Sequence, residues 1–251
     1  MIYYIDNTRL SDLQTLIYEK NIYACKIACL LESYGLQYDF AEFWVQYEND
    51  MPVTAVSKFY GDMTVYATDK TDFDELKEFL QITGFTSVLC EREIFKESYS
   101  GIIMEKISVN QDVKAEINPD LNEVYRLLES CKSDTFEVPE YEDFVLDMSH
   151  KIRHETALCV GVREGEKLIA TAVTVAQSEM CAVIGAVATD KNYRHSGYGT
   201  KCVNALCNLL NGRKIFIMRD ERENEDFYKS MGFENKGKFY IKRGKRNDTV
   251  L

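Results

Sequence analysis

Proline is almost missing from this chain, with 3 in 251 residues, and glycine is limited to 13. That scarcity excludes collagen-like and linker-dominated architectures, which need repeated glycine or proline. Every apolar run is interrupted well short of the roughly 18–20 residues that a membrane-spanning helix requires. The opening stretch MIYYIDNTRL has no basic segment followed by an apolar one, so no cleaved secretory signal is expected. The 8 cysteines form no CxxC pair with histidine partners, so neither a zinc site nor a disulfide framework is signalled. Cys25 and Cys29 share a helix face at i, i+4, and buried free thiols are the simpler reading. These absences lead us to expect a cytoplasmic protein with reduced thiols, no metal and no membrane partner.

What is present is ordinary for a folded chain: 45% apolar and 28% charged residues, in an amount that suits one large domain or two small ones. Basic residues number 30 against 41 acidic ones, a net charge of −11. A field of that sign repels polyanions and argues against a general nucleic-acid partner. The segment 236–246, KGKFYIKRGKR, is a local exception. It reads either as a solvated edge strand bearing lysines or as a nucleic-acid contact.

Apolar periodicity divides the chain into two successive units with the same order of elements. In the first, helices are expected at 10–20 and 24–34, strands at 40–47, 53–59 and 63–67, a helix at 72–84 and a strand at 85–90. In the second, 112–117 reads as a strand, 121–131 and 141–152 as helices, and 157–162, 168–176 and 181–188 as strands. A helix at 198–211, a strand at 214–218, a short helix at 224–231 and a strand at 239–242 follow. The tetrapeptide Ala67-Thr68-Asp69-Lys70 recurs as Ala188-Thr189-Asp190-Lys191, each time after an apolar strand and before a helix. Repetition of both fragment and order predicts a duplicated fold. The expected domains are 1–111 and 112–251, the boundary falling near 110–119.

The informative turn is 187–200, where a buried strand runs through two glycines straight into a helix. Backbone N–H groups can converge there on an anion, assisted by the partial positive charge of the helix N-terminus. Gly197 and Gly199 let phosphate oxygens approach the backbone, and Arg194 adds a permanent charge. A dinucleotide fingerprint does not fit, because Cys202 stands where its third glycine would be. A Walker loop does not fit either, since Gly199-Thr200-Lys201 has the wrong order. A tight turn without a ligand is the other reading of the glycines alone.

At these residues the chain resembles the GCN5-related N-acetyltransferases. Arg194-His195-Ser196-Gly197-Tyr198-Gly199 is similar to that family's Arg/Gln-x-x-Gly-x-Gly/Ala coenzyme A loop, and Phe227-Tyr228-Lys229-Ser230-Met231-Gly232-Phe233 to its Phe-Tyr-x-x-x-Gly-Phe ending. The resemblance implies an α/β (α+β) fold of two tandem GNAT-like domains, each a mixed, mostly antiparallel twisted sheet flanked by helices. It implies acetyl-CoA as cosubstrate and a small-molecule or peptide amine as acceptor. Val187 and Thr189 would offer backbone groups to the pantetheine arm, and His195, Ser196, Gly197, Tyr198, Gly199 and Thr200 would cradle the pyrophosphate. Tyr228 would protonate the departing thiolate, with a half-buried packing role as the other reading. Asn224 would contact pantetheine or cap its helix, although the family often has asparagine earlier and alanine about here.

Direct attack by an amine on the thioester follows from holding both substrates together, with a backbone amide near Val187 stabilising the oxyanion. The general base is not legible: 180–188 contains no acid. Glu179, Glu137, Glu140 and Tyr141 are candidates, direct or through water, for which an ordinary surface position is the simpler reading, and His150 and His154 read as helix-end caps. The first unit continues from its tetrapeptide into Thr71-Asp72-Phe73-Asp74-Glu75, with no glycine and three acids, which would repel a pyrophosphate. It reads as a degenerate repeat, with Trp44, Tyr47 and Tyr60 available to line an acceptor pocket or, for Trp44, to pack the core. The alternative for the whole protein is a non-catalytic acyl-CoA-binding or regulatory module of the same fold.

Overall fold

The computed structural model describes residues 1–107, 114–134 and 136–244. The chain divides into two compact units, residues 1–102 with the described residues from 237 onward, and residues 103–236. In the first unit, strand β1 (Ile2–Tyr4) is followed by helices α1 (Leu10–Ile17) and α2 (Ile22–Tyr34). Strands β2 (Ala41–Glu48), β3 (Met51–Phe59) and β4 (Asp62–Ala67), helix α3 (Phe73–Thr83) and strand β5 (Ser87–Cys90) complete it. The order is β1-β2-β3-β4-β5, antiparallel except for β4 against β5. α2 starts where the Asn21 side chain accepts the Tyr23 amide at 2.8 Å and stops at Gly35, whose φ of 66° suits glycine. Leu76 and Leu80 of α3 are fully buried against Val56, Met63, Val65 and Trp44, each contributing about 1.5–3 kcal/mol by burial. Trp44 is thus a core residue, whereas Tyr60 is exposed and the Tyr47 hydroxyl donates to Asp12 at 2.6 Å.

Strand β6 (Tyr99–Ile107) carries the chain across the division between units. The second unit holds β7 (Glu116–Ile117), α4 (Leu121–Ser130), α5 (Tyr141–Arg153), β8 (Cys159–Glu164), β9 (Lys167–Gln177) and β10 (Cys181–Thr189). Helix α6 (Tyr198–Leu209), strand β11 (Lys214–Arg219) and helix α7 (Glu225–Lys229) follow, and strand β12 (Glu234–Arg243) leads from the second unit into the residues of the first. The second unit's order is β11-β10-β9-β8-β7, antiparallel except for β10 against β11. Apolar faces of α4 and α5 (Val124, Leu128, Phe144, Met148) pack with Cys159, Leu168, Val173 and Ala188 of the sheet. All eight cysteines are free, with Cys25 and Cys29 both buried, and no described helix is long and apolar enough to cross a membrane.

The expected elements recur in the expected order, with two additions, one of three residues and one of nine. β1 and β6 have no counterpart in the periodicity reading, and β7 keeps only two residues of the strand expected at 112–117, of which 112 and 113 lie outside the described residues. The division also differs from a break after 111, which itself falls outside the described residues. Instead of ending within the second unit, β12 pairs antiparallel with β5, Tyr240 opposite Cys90 and Arg243 opposite Ser87. The basic segment at 236–246 is therefore largely ladder strand, with residues 245 and 246 outside the described part.

Candidate active site

The two copies of the tetrapeptide end equivalent strands. β4 pairs in parallel with β5 only through Asp62–Thr64 and β10 with β11 only through Cys181–Ile184. Past those residues each strand runs on with no described ladder partner on that side. In β10 the separation coincides with an irregular register around Gly185 against β9. A Cβ at Gly185 would lie 2.2 Å from a Val175 side-chain carbon, so only glycine fits there. Beyond it Gly185 is exposed and Ala186 and Val187 half-buried, leaving strand backbone available to an extended ligand.

From here the two units differ. In the first, α3 begins at once and Asp72 caps it, its carboxylate accepting the amides of Asp74 at 3.0 Å and Glu75 at 3.1 Å. In the second, Asp190 closes a short turn over Lys191–Tyr193, accepting the Asn192 amide at 2.9 Å and the Lys167 ammonium at 2.6 Å. Lys167, then the Asn192 amide, hold its carboxyl below the usual carboxylate range. The chain then passes through His195 at φ 60° and Gly197 at φ 80°. Gly197 is the N-cap of α6 and no side chain caps that helix. The amides of Tyr198, Gly199 and Thr200 precede the first intrahelical bond, from Lys201 to the Gly197 carbonyl at 2.9 Å, and so keep no helical acceptor. Left-handed turns alternating with helical residues aim such amides at one point. This arrangement fits a pyrophosphate.

Gly199 serves a different need. A Cβ there would lie 3.2 Å from the Thr189 hydroxyl and 3.5 Å from the Phe227 ring, so its absence lets α6 close on β10 and α7. Arg194 is exposed and folded back: its Nε donates to the Thr189 carbonyl at 3.2 Å, and its Nη2 lies 3.7 Å from the Cys131 sulfur. Tyr228 stands on α7, half-buried, with Phe227 and Phe233 edge-on at 4.9 and 5.9 Å. Burial pushes its phenol up to about 12, so it holds its proton at neutral pH, and its hydroxyl has no hydrogen-bond partner among the described residues. Asn224 occupies the N-cap position of α7 with φ 62°, but its side chain makes no capping bond.

Arg219, at the end of β11, was not among the expected site residues. Its side chain is buried and its Nη1 donates to the carbonyls of Asp220, Glu221 and Glu223 at 2.9, 3.1 and 3.4 Å. Its Nη2 reaches the Glu225 carboxylate at 2.7 Å. One guanidinium therefore shapes the whole connection that presents α7 and Tyr228. The sequence signal was a lone cation ending an apolar run, which reads as a strand terminus.

The candidate bases are scattered. Glu179 is exposed before β10 begins, eight residues from Val187 and so roughly 26 Å away along an extended strand. Glu137 and Glu140 are exposed, and the Tyr141 hydroxyl is engaged with the Asn122 side chain. His150 in the last turn of α5 and His154 at its C-cap have ring centroids 4.3 Å apart, the rings tilted to one another.

Residues 121–233 match the sequence profile of the Acetyltransferase (GNAT) family. The second unit is a GNAT domain. No curated protein matches the chain at a significant level. Among solved structures, the tandem GNAT protein from the clavulanic acid biosynthesis pathway is similar at TM-score 0.60 and 10% identity, over 99% of this chain and 100% of that one. A GCN5-related N-acetyltransferase from Sphaerobacter thermophilus aligns at TM-score 0.59 and 12% identity, over 97% and 95% of the two chains. Saccharomyces cerevisiae N-myristoyltransferase with bound myristoyl-CoA aligns at 0.58 and 9%, over 96% of this chain and 77% of that one. At such identities the likeness is one of fold, and it extends the GNAT architecture over both units. That family and fold are those of acyltransferases.

Proposed function

We propose that the GNAT domain is an N-acetyltransferase that moves the acetyl group of acetyl-CoA to a primary amine of a small molecule or peptide. The observation that carries this reading is the uncapped N-terminus of α6 beside the unpaired half of β10. An anion site and an extended-chain site there share one cleft, as a pyrophosphate with a pantetheine tail requires. The amides of residues 195–200 hold the diphosphate. Backbone groups of Val187 and Thr189 orient the arm so that its thioester meets the amine in one productive pose. Acetyl-CoA supplies the activated acyl group. The Tyr228 phenol is protonated at neutral pH, as an ordinary tyrosine is, and gives its proton to the leaving sulfur, while the proton that the attacking amine loses returns to it through water. A backbone amide near Val187 stabilises the charge that develops on the acyl oxygen. The net negative charge of the chain favours cationic acceptors over nucleic acid, and the free thiols suit the cytoplasm.

The second reading is a non-catalytic acyl-CoA-binding or regulatory module, favoured by the absence of a paired acid–base beside Tyr228 among the described residues. A thiol-release assay against a panel of amines separates the two. Turnover with any amine, dependent on Tyr228, establishes the enzyme. Tight coenzyme A binding without turnover across the panel supports the module.

A further inference from the structure

We propose that the first unit holds a binding site for a primary ammonium group, formed by Tyr23, Tyr66 and Glu91 where β4 and β5 part. The site goes beyond the acetyl transfer read for the second unit and does not depend on coenzyme A. It starts from an orphaned hydroxyl. Tyr23, in the first turn of α2, is 1% exposed, and its Oη is the one buried side-chain polar atom without a hydrogen-bond partner among the described residues. Folded chains seldom leave a buried hydroxyl unmet, so this one calls for a group that meets it.

The surroundings indicate which group. The β4–β5 ladder ends at the pair Thr64–Leu89. Tyr66 and Glu91 each stand two residues beyond it, one on either side of the opening gap, and both are half-buried. Burial raises the Tyr23 phenol, and the groups that then act on it are Cys90, Glu91 and Tyr240. Burial also raises the Tyr66 phenol, followed by Glu19 and Glu91. The Glu91 carboxylate therefore lies within electrostatic reach of both phenols, yet it accepts a hydrogen bond from neither. One small polar group can bridge three oxygens arranged in this way.

Charge selects a cation. Burial holds the Glu91 carboxyl above the usual carboxylate range, and no ion pair answers it among the described residues. Arg92 lowers it only through the general field, because its guanidinium lies over the Phe73 ring at 4.9 Å, and Asp69 acts in the opposite direction. An ammonium neutralises the carboxylate, and its three N–H donors match the three oxygens. Water could bridge the same atoms but would leave the charge unanswered. Past Thr64, β4 has no described ladder partner on the β5 side, so the carbon chain of the ligand can lie along residues 65–67. The ligand class is thus a primary amine on an unbranched chain.

Titration of the full chain with n-butylamine at neutral pH, followed by carbon-13 resonances of the tyrosine rings, tests this. The signals of Tyr23 and Tyr66, assigned from Tyr23→Phe and Tyr66→Phe, should move saturably with the amine. They should stay in place with 1-butanol, which lacks the charge, and with butyltrimethylammonium, which lacks the N–H donors. Glu91→Gln keeps the shape of the side chain and should weaken the amine by about ten- to hundredfold. Tyr66→Phe should weaken it by about three- to tenfold. Tyr23→Phe should weaken it to a similar extent while raising the melting temperature of the ligand-free protein, because an unmet hydroxyl is gone. A tyrosine with a purely structural role would give no such split. Unchanged helical content will show that the variants fold. No saturable shift, equal shifts with either control, or full affinity in Glu91→Gln overturns the assignment. A lower melting temperature in ligand-free Tyr23→Phe would show that water already satisfies the hydroxyl, and also overturns it.

Discussion

Removing one oxygen from Tyr228 separates chemistry from packing. In Tyr228→Phe the ring keeps its edge-on contacts with Phe227 and Phe233. The lost hydroxyl had no partner among the described residues, so stability should change by less than about 0.5 kcal/mol. Coenzyme A affinity should stay within about twofold, because the loop amides are untouched. Loss of a general acid costs about 10²–10⁴-fold in kcat, equivalent to about 2.7–5.4 kcal/mol of barrier at roughly 1.36 kcal/mol per tenfold. The pH dependence adds a second readout. Burial raises the phenol to about 12, so the donating, protonated form persists as pH rises through the ordinary tyrosine range near ~10. The wild-type kcat should therefore show no descending limb from this group until the pH approaches 12. Steady-state thiol release, run beside a direct titration of coenzyme A, measures all three quantities. A kcat loss below a few-fold would refute the argument, leaving Tyr228 as a packing residue with water supplying the proton.

Gly197→Val places a β-branched residue at φ 80°, with no atom within 4 Å of the new Cβ. The cost is backbone strain of about 1–2 kcal/mol and a side chain standing over the amides, so helical content should hold while the stabilisation by coenzyme A vanishes. Wild-type titration should give one site per chain, because Asp72 already caps α3 where the first unit would need an anion; a site surviving Gly197→Val would place coenzyme A in the first unit. Arg219→Met leaves three loop carbonyls and Glu225 without their common donor. It should lower stability by about 2–4 kcal/mol in urea unfolding, and an unchanged midpoint would show that the connection to α7 holds its shape by other means.

Local patterns were legible where one residue type has one physical use. Gly197 and Gly199 before an apolar helix marked the loop, and the acids at Asp72, Asp74 and Glu75 marked a helix start that has no room for an anion. Features made by distant residues were not. β1 is three residues long, too short for an alternation to register. Arg219 shows its role only when the loop carbonyls have folded around it. The pairing of β12 with β5 has no signal in either segment, since each reads as a strand in its own unit.

That pairing also sets a timetable. Tyr240 lies opposite Cys90, so the ladder closes a loop of roughly 150 residues, a long-range contact of the kind that slows folding. At about 5–20 residues per second on the ribosome, β5 is made roughly 8–30 s before its partner strand. During that interval its free edge can recruit other strands. The first unit, although made first, is therefore completed last. Its folded population should depend on how long the nascent chain is shielded from its neighbours.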